Sequence, residues 1–96
     1  MNGENAPRGR RNGDSSIDVW LRGRRLTFPG GGLEPTVTDE ARPPDDATAL
    51  PPEVRVDVGN VVTMISYDGW YARVSADDVT INRTKARRSS GRIFRP

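Results

Sequence analysis

From Val54 to Arg83 the chain alternates between apolar and polar residues. Val54-Arg55-Val56-Asp57-Val58 has a strict period of two, the pattern of a half-buried strand. Gly59-Asn60 then reads as a turn pair, Val61 to Tyr67 as a second strand and Asp68-Gly69 as a type I′ hairpin turn. Trp70 to Ala76 is the third strand, Asp77-Asp78 the third turn and Val79 to Arg83 the fourth strand. A two-residue loop fixes register, so the turns can be checked against one another. They set Val58 opposite Val61, Val56 opposite Thr63, Tyr67 opposite Trp70, Ile65 opposite Ala72, Ala76 opposite Val79 and Val74 opposite Ile81. All three turns together give one apolar face: Val54, Val56, Val58, Val61, Thr63, Ile65, Tyr67, Trp70, Ala72, Val74, Ala76, Val79 and Ile81. The opposite face mixes Arg55, Asp57, Ser66, Arg73, Ser75, Thr80 and Asn82 with Val62, Met64 and Tyr71.

The apolar face needs a cover, and one other segment supplies an amphipathic pattern. Ile17, Val19 and Leu21 alternate with Asp18, Trp20 and Arg22. A two-residue turn at Gly23-Arg24 sets Leu21 opposite Leu26 and Val19 opposite Phe28. Ile17, Val19, Leu21, Leu26 and Phe28 then share one face, and Trp20, Arg22, Arg25 and Thr27 the other. Hairpin on meander predicts an all-β fold, either a small antiparallel β-barrel or a two-layer sandwich.

The remaining segments carry no sustained period. Met1 to Ser16 is rich in Asn, Gly, Arg and Ser and reads as a flexible arm. Residues 29–53 hold six acids, one arginine and six prolines, and Pro43-Pro44 stops any helical turn begun at Thr38. Residues 84–96 read as a basic tail. The expected organisation is an arm over 1–16, one β domain over 17–83 containing the acidic loop 29–53, and the tail over 84–96. Low apolar content agrees: 33% of residues, against roughly 45–50% in globular chains counted with glycine.

Charge and missing residue types narrow the chemistry. The chain has neither cysteine nor histidine, so thiolate chemistry is excluded and the commonest general base and metal ligand are lacking. Asp77 and Asp78 are adjacent on a strand end and point to opposite faces, which suits a turn and not a paired carboxylate site. Gly30-Gly31-Gly32 lacks the lysine, hydroxyl residue and helix of a phosphate loop. We therefore expect no enzyme, no cofactor, no metal and no small-molecule substrate. No apolar run approaches the roughly 18 residues of a membrane span. No apolar stretch follows the N-terminal arginines either, as a secretory signal requires. A soluble protein, intracellular or within a virus particle assembled inside a cell, is the expectation.

Net charge is only +2, yet it is unevenly placed. Arg83, Lys85, Arg87, Arg88, Arg92 and Arg95 accumulate at the C-terminus without an acid, beside Ile93 and Phe94. Such a tail suits nucleic-acid phosphates with Phe94 stacking, an acidic protein surface, or plain solubility. Trp20 with Arg22 and Arg25 on one outer face, and Val62, Met64, Tyr71 and Arg73 on the other, are candidate partner anchors. Tyr67-Asp68-Gly69-Trp70-Tyr71 is an ordinary hairpin, but the layout of a small β-barrel with an N-terminal arm and a long loop is similar to the small head–tail connector proteins of tailed phages. It is also similar to SH3-like nucleic-acid and ribosome-associated modules. That resemblance implies docking within a larger assembly, such as a capsid or connector, through the arms and loop. The alternative is a nucleic-acid-binding β-barrel working through its tail. The near-cancellation of acidic loop and basic arms favours assembly through contacts between subunits.

Overall fold

The computed structural model describes residues 6–39 and 42–84. Eight strands form: β1 (Arg8–Arg11), β2 (Ile17–Leu21), β3 (Arg24–Phe28), β4 (Thr36–Thr38), β5 (Arg55–Val58), β6 (Thr63–Tyr67), β7 (Trp70–Val74) and β8 (Val79–Arg83). They make two four-stranded antiparallel sheets, β1-β2-β3-β4 (sheet A) and β5-β6-β7-β8 (sheet B). Neither sheet closes on itself or on the other, so the fold is sandwich-like and the barrel alternative falls away. Among the described residues no helix is long and apolar enough to cross a membrane.

The hairpin covers the meander as its pattern requires. Ile17, Val19, Leu21, Leu26 and Phe28 of sheet A form one buried cluster with Ile65, Ala72 and Val74 of sheet B and with Val54, just before β5. Phe28 meets Tyr67 edge-on, with ring centroids 6.1 Å apart. Polar links tie the ends. Arg22 Nη1 donates to the Val61 carbonyl at 2.9 Å, and Arg24 Nη1 to that of Ser75 at 3.3 Å. At the other end Gly32 N–H donates to Asp68 Oδ2 at 2.7 Å, and Trp70 Nε1 to the Gly32 carbonyl at 3.1 Å.

The Asp68-Gly69 hairpin forms as read: Tyr67 pairs with Trp70, Ile65 with Ala72, and both turn residues have positive φ. The other three turns sit one residue away from the expected place. The first hairpin turns at Arg22-Gly23, both with positive φ as type I′ demands. Val19 therefore faces Leu26, and Ile17 faces Phe28. The expected Gly23-Arg24 register would have set buried Ile17 against Gly30 instead. Val58 pairs with Thr63, not Val61, because Gly59 N–H closes the loop onto the Val62 carbonyl at 3.0 Å. Only glycine allows that approach, since a Cβ there would lie 2.6 Å from the Val62 oxygen. Val74 pairs with Val79, not Ile81. Neither Asp77 nor Asp78 has the positive φ of a primed two-residue turn; Ser75 instead bonds Asp78 through its backbone N–H and its hydroxyl. Moving a turn by one residue shifts pairing by two, which keeps every side chain on its face. The parity of the apolar face therefore survives, but Val61 and Ala76 fall into exposed connections, and Val56 and Val58 of β5 are exposed too.

Two strands arise where none was expected. β1 lies inside the segment read as a flexible arm, and β4 inside the acidic loop. Thr48 adds an isolated antiparallel bridge to Gly9 on the free side of β1. Leu50 then packs against the core. Neither segment advertises itself by period: β1 turns Gly9 inward, and all three residues of β4 are exposed.

Replacing Gly69 tests the type I′ turn. Its φ is +87° and nothing stands near a would-be Cβ, so the cost of Gly69→Val is purely conformational. It should lower stability by about 1–2 kcal/mol, read as a lower urea midpoint at unchanged slope. An unchanged midpoint would contradict the turn.

Candidate interaction surface

The outer face of sheet A is built around Trp20 and Asp18 of β2. Arg8 of β1 and Arg25 of β3 lie directly across from Trp20. The Arg10 guanidinium sits 5.2 Å from the indole centroid. Trp20 is only 4% exposed, so it is not an open anchor for a base or a partner. Arg10 of β1 closes over the ring. Of its expected companions, Arg22 is half-buried and held to the Val61 carbonyl, and Arg25 is half-buried with Nη2 3.4 Å from Thr38 Oγ1.

Asp18 holds this face together. Its carboxylate accepts from Thr27 Oγ1 at 2.8 Å, Asn12 Nδ2 at 3.1 Å and Arg10 Nη2 at 3.3 Å. Arg10 also pairs with Asp46 at 3.3 Å, which ties the acidic loop to β1. A buried carboxylate needs such partners, because an unpaired one is costly. Sequence reading treats Asp18 as one polar position in an alternating strand. What it misses is that the residues flanking Asp18 across the sheet, Arg10 and Thr27, are donors. Nearby, Asp14 accepts from the Ser16 hydroxyl at 2.7 Å and the Ser16 N–H at 3.1 Å. These bonds hold its carboxyl below the usual 3.8.

The outer face of sheet B is different. Met64 pairs across the strands with Arg73 and with Asp57, and Tyr71 with Ser66 and Asn82. Met64, Tyr71 and Val62 are half-buried and Arg73 exposed. Of the cross-strand neighbours of Met64 and Tyr71, Asp57, Arg73 and Asn82 are exposed and Ser66 is half-buried. The seven anchors proposed from sequence thus separate onto opposite faces of the sandwich. Val62, Met64, Tyr71 and Arg73 belong to the open one.

Arg83 ends β8 directly opposite Trp70, with its guanidinium 4.9 Å from the ring centroid. The first cation of the tail thus lies on the protein's own indole. Lys85, Arg87, Arg88, Arg92, Phe94 and Arg95 lie outside the described residues. No group of three Asp or Glu side chains among the described residues is placed to hold a metal ion.

Comparison with known families, curated proteins and solved structures finds no match to this chain. The reading of its surfaces rests on their own chemistry.

Asp18→Ala should cost about 1–3 kcal/mol, because Thr27 and Asn12 lose a buried acceptor; thermal unfolding measures it. A neutral Asp18→Ala would contradict the network. Asp14 acts through pH. Its folded-state pKa is depressed, so its contribution is present above the ordinary 3.8 and is lost as pH falls through the lower folded value. The stability difference between wild type and Asp14→Ala should therefore be seen near neutral pH and shrink in strong acid.

Proposed function

We propose that this chain is a non-enzymatic assembly module that docks onto protein subunits of a larger complex through the outer face of sheet B. The observation that carries this is the contrast between the two outer faces. Sheet A buries its tryptophan with Arg10 over the ring and neutralises Arg10 with Asp18 and Asp46. Sheet B leaves Met64 and Tyr71 half-covered beside Arg73. Tyr, Met and Arg are the residue types enriched at protein interfaces, and Tyr and Arg recur among hot spots. A capsid or head–tail connector of a phage virion is the kind of assembly that the layout suggests.

The nucleic-acid reading has less support from geometry. Base stacking on a β surface needs an open aromatic. Trp20 is closed, and Trp70 has Arg83 against its ring and its Nε1 bonded to Gly32. What remains for that reading is the charge of the tail.

One set of variants separates the two. Met64→Asp and Tyr71→Ser change the open face alone. Each should weaken incorporation into the native assembly by more than about 1 kcal/mol of docking free energy while leaving the unfolding temperature nearly unchanged. Binding of the purified chain to random DNA or RNA at physiological salt should be weak or absent. Tight binding with a log–log salt slope of roughly −4 to −5, lost on deleting residues 85–96, would replace this reading with the nucleic-acid one.

A further inference from the structure

Sheet B also has a free edge, and its chemistry is self-complementary. Along β5 the inward-facing valines become progressively less covered. Val54, just before the strand, is 7% exposed, Val56 36% and Val58 56%, and the connection that follows carries Val61 at 72%. Arg55 and Asp57 alternate with these valines on the outer face, and both are exposed. Among the described residues neither is part of a salt bridge.

The backbone of β5 is oriented for a partner. The two-residue turn at Asp68-Gly69 makes Tyr67/Trp70 a hydrogen-bonded pair. Hydrogen-bonded and non-hydrogen-bonded pairs alternate in an antiparallel ladder, so Ile65 directs its N–H and C=O to Ala72 of β7. The Val56/Ile65 pair is then the non-bonded kind, and Val56 turns its N–H and C=O away from β6. Val58 does the same. The Gly59 N–H to Val62 bond leads to this assignment independently, since it makes the next pair, Val58/Thr63, non-bonded.

We propose that β5 pairs antiparallel with β5 of a second copy of this chain, across a two-fold axis at Val56. That register sets Arg55 opposite Asp57 of the second copy and Asp57 opposite its Arg55, two cross-strand ion pairs on one face. Val56 meets Val56, and Val54 meets Val58, on the other. A two-fold at Arg55 would oppose two arginines, and one at Asp57 two aspartates, which is destabilising. Registers of odd sum would oppose outward charges to inward valines. Four inter-chain hydrogen bonds form: Val56 N–H to the Val56 carbonyl in each direction, and Val58 N–H to the Val54 carbonyl in each direction. Val54 N–H takes no part because it already donates to Pro51 at 3.0 Å. The two copies of sheet B become one continuous eight-stranded sheet, and the contact is isologous as a two-fold requires.

Sedimentation velocity on the full chain tests this. Wild type should shift from the mass of one chain to that of two as concentration rises. Arg55→Asp alone and Asp57→Arg alone should each stay monomeric, because each self-pairing then opposes like charges. An equimolar mixture of the two variants should dimerise again, since one edge then carries two acids and the other two arginines. Val56→Pro removes an N–H that serves no bond within the sheet, and proline is tolerated on an outward-facing edge position. It should leave the thermal unfolding transition in place and abolish the dimer. A wild type that remains monomeric up to its solubility limit would overturn the proposal. So would a dimer that survives Val56→Pro, or a mixture of the two charge variants that fails to associate.

Discussion

The structure depends on burying the inner face of the β2–β3 hairpin against the inner face of β6 and β7. Neither face is stable alone. An isolated hairpin is marginal in water, and a single sheet with one apolar face leaves that face wet. Ile17, Val19, Leu26 and Phe28 against Ile65, Ala72 and Val74 solve both problems at once. Everything else is arranged around that contact. The type I′ turns at Arg22-Gly23 and Asp68-Gly69 fix the pairing that keeps those residues on one side. The end links from Arg22, Arg24 and Gly32 hold the sheets in place over each other. With so few large apolar side chains the core covers only the middle strands fully. The edge strands take their stability from other sources, and these differ between the two sheets.

Sheet A completes itself with polar chemistry. β1 brings no large apolar residue inward. It is held by its ladder to β2, by the bridge from Gly9 to Thr48, and by Arg10 reaching Asp18 and Asp46. Arg10 also lies over Trp20, which is buried. In sheet B the matching edge strand, β5, carries Arg55 and Asp57 on the outer face, and neither is part of a salt bridge among the described residues. Its outer face keeps Met64 and Tyr71 half-covered, and its β5 edge keeps backbone groups unpaired among the described residues. The asymmetry between the sheets is what the proposed docking role of sheet B rests on.

How much of this is legible in the sequence follows from the same division. The all-β class, the covering role of the hairpin, the Tyr67/Trp70 register and the buried face through Ile65, Ala72 and Val74 are written in a period of two, because core burial selects side chains. Three turns lie one residue from where their dipeptides point. Their real positions depend on a closing carbonyl, a serine hydroxyl and a packing partner for Ile17, none of which a dipeptide rule weighs. β1 and β4 are invisible to periodicity because they are held by backbone pairing and charge, which leave no apolar rhythm. For that reason Trp20 reads as an open anchor and is a covered one. Val62, Met64, Tyr71 and Arg73 read as one outer face, and the last three share it, because parity along β6 and β7 is all that their grouping needs; Val62 lies in the connection before β6.

The uncovered end of β5 has a topological cause. The chain passes from sheet A to sheet B through Thr48 to Val54, after that segment has bridged to Gly9. Leu50 and Pro51 close the side of the sandwich there, and Val54 is buried beside them. β5 then runs away from this crossover toward the Arg22 and Val61 end, so each successive valine lies farther from the cover. A crossover of this kind seals only one end of an edge strand. Natural sheets protect such edges with short strands, prolines or charges. Here the strand is short, but its charges come as one arginine and one aspartate two residues apart, which repel neither each other nor an antiparallel copy of themselves. Two charges of one sign at these positions would have blocked every strand of their own kind. The mixed pair admits one register and opposes its neighbours, and the proposed β5–β5 pairing rests on that property.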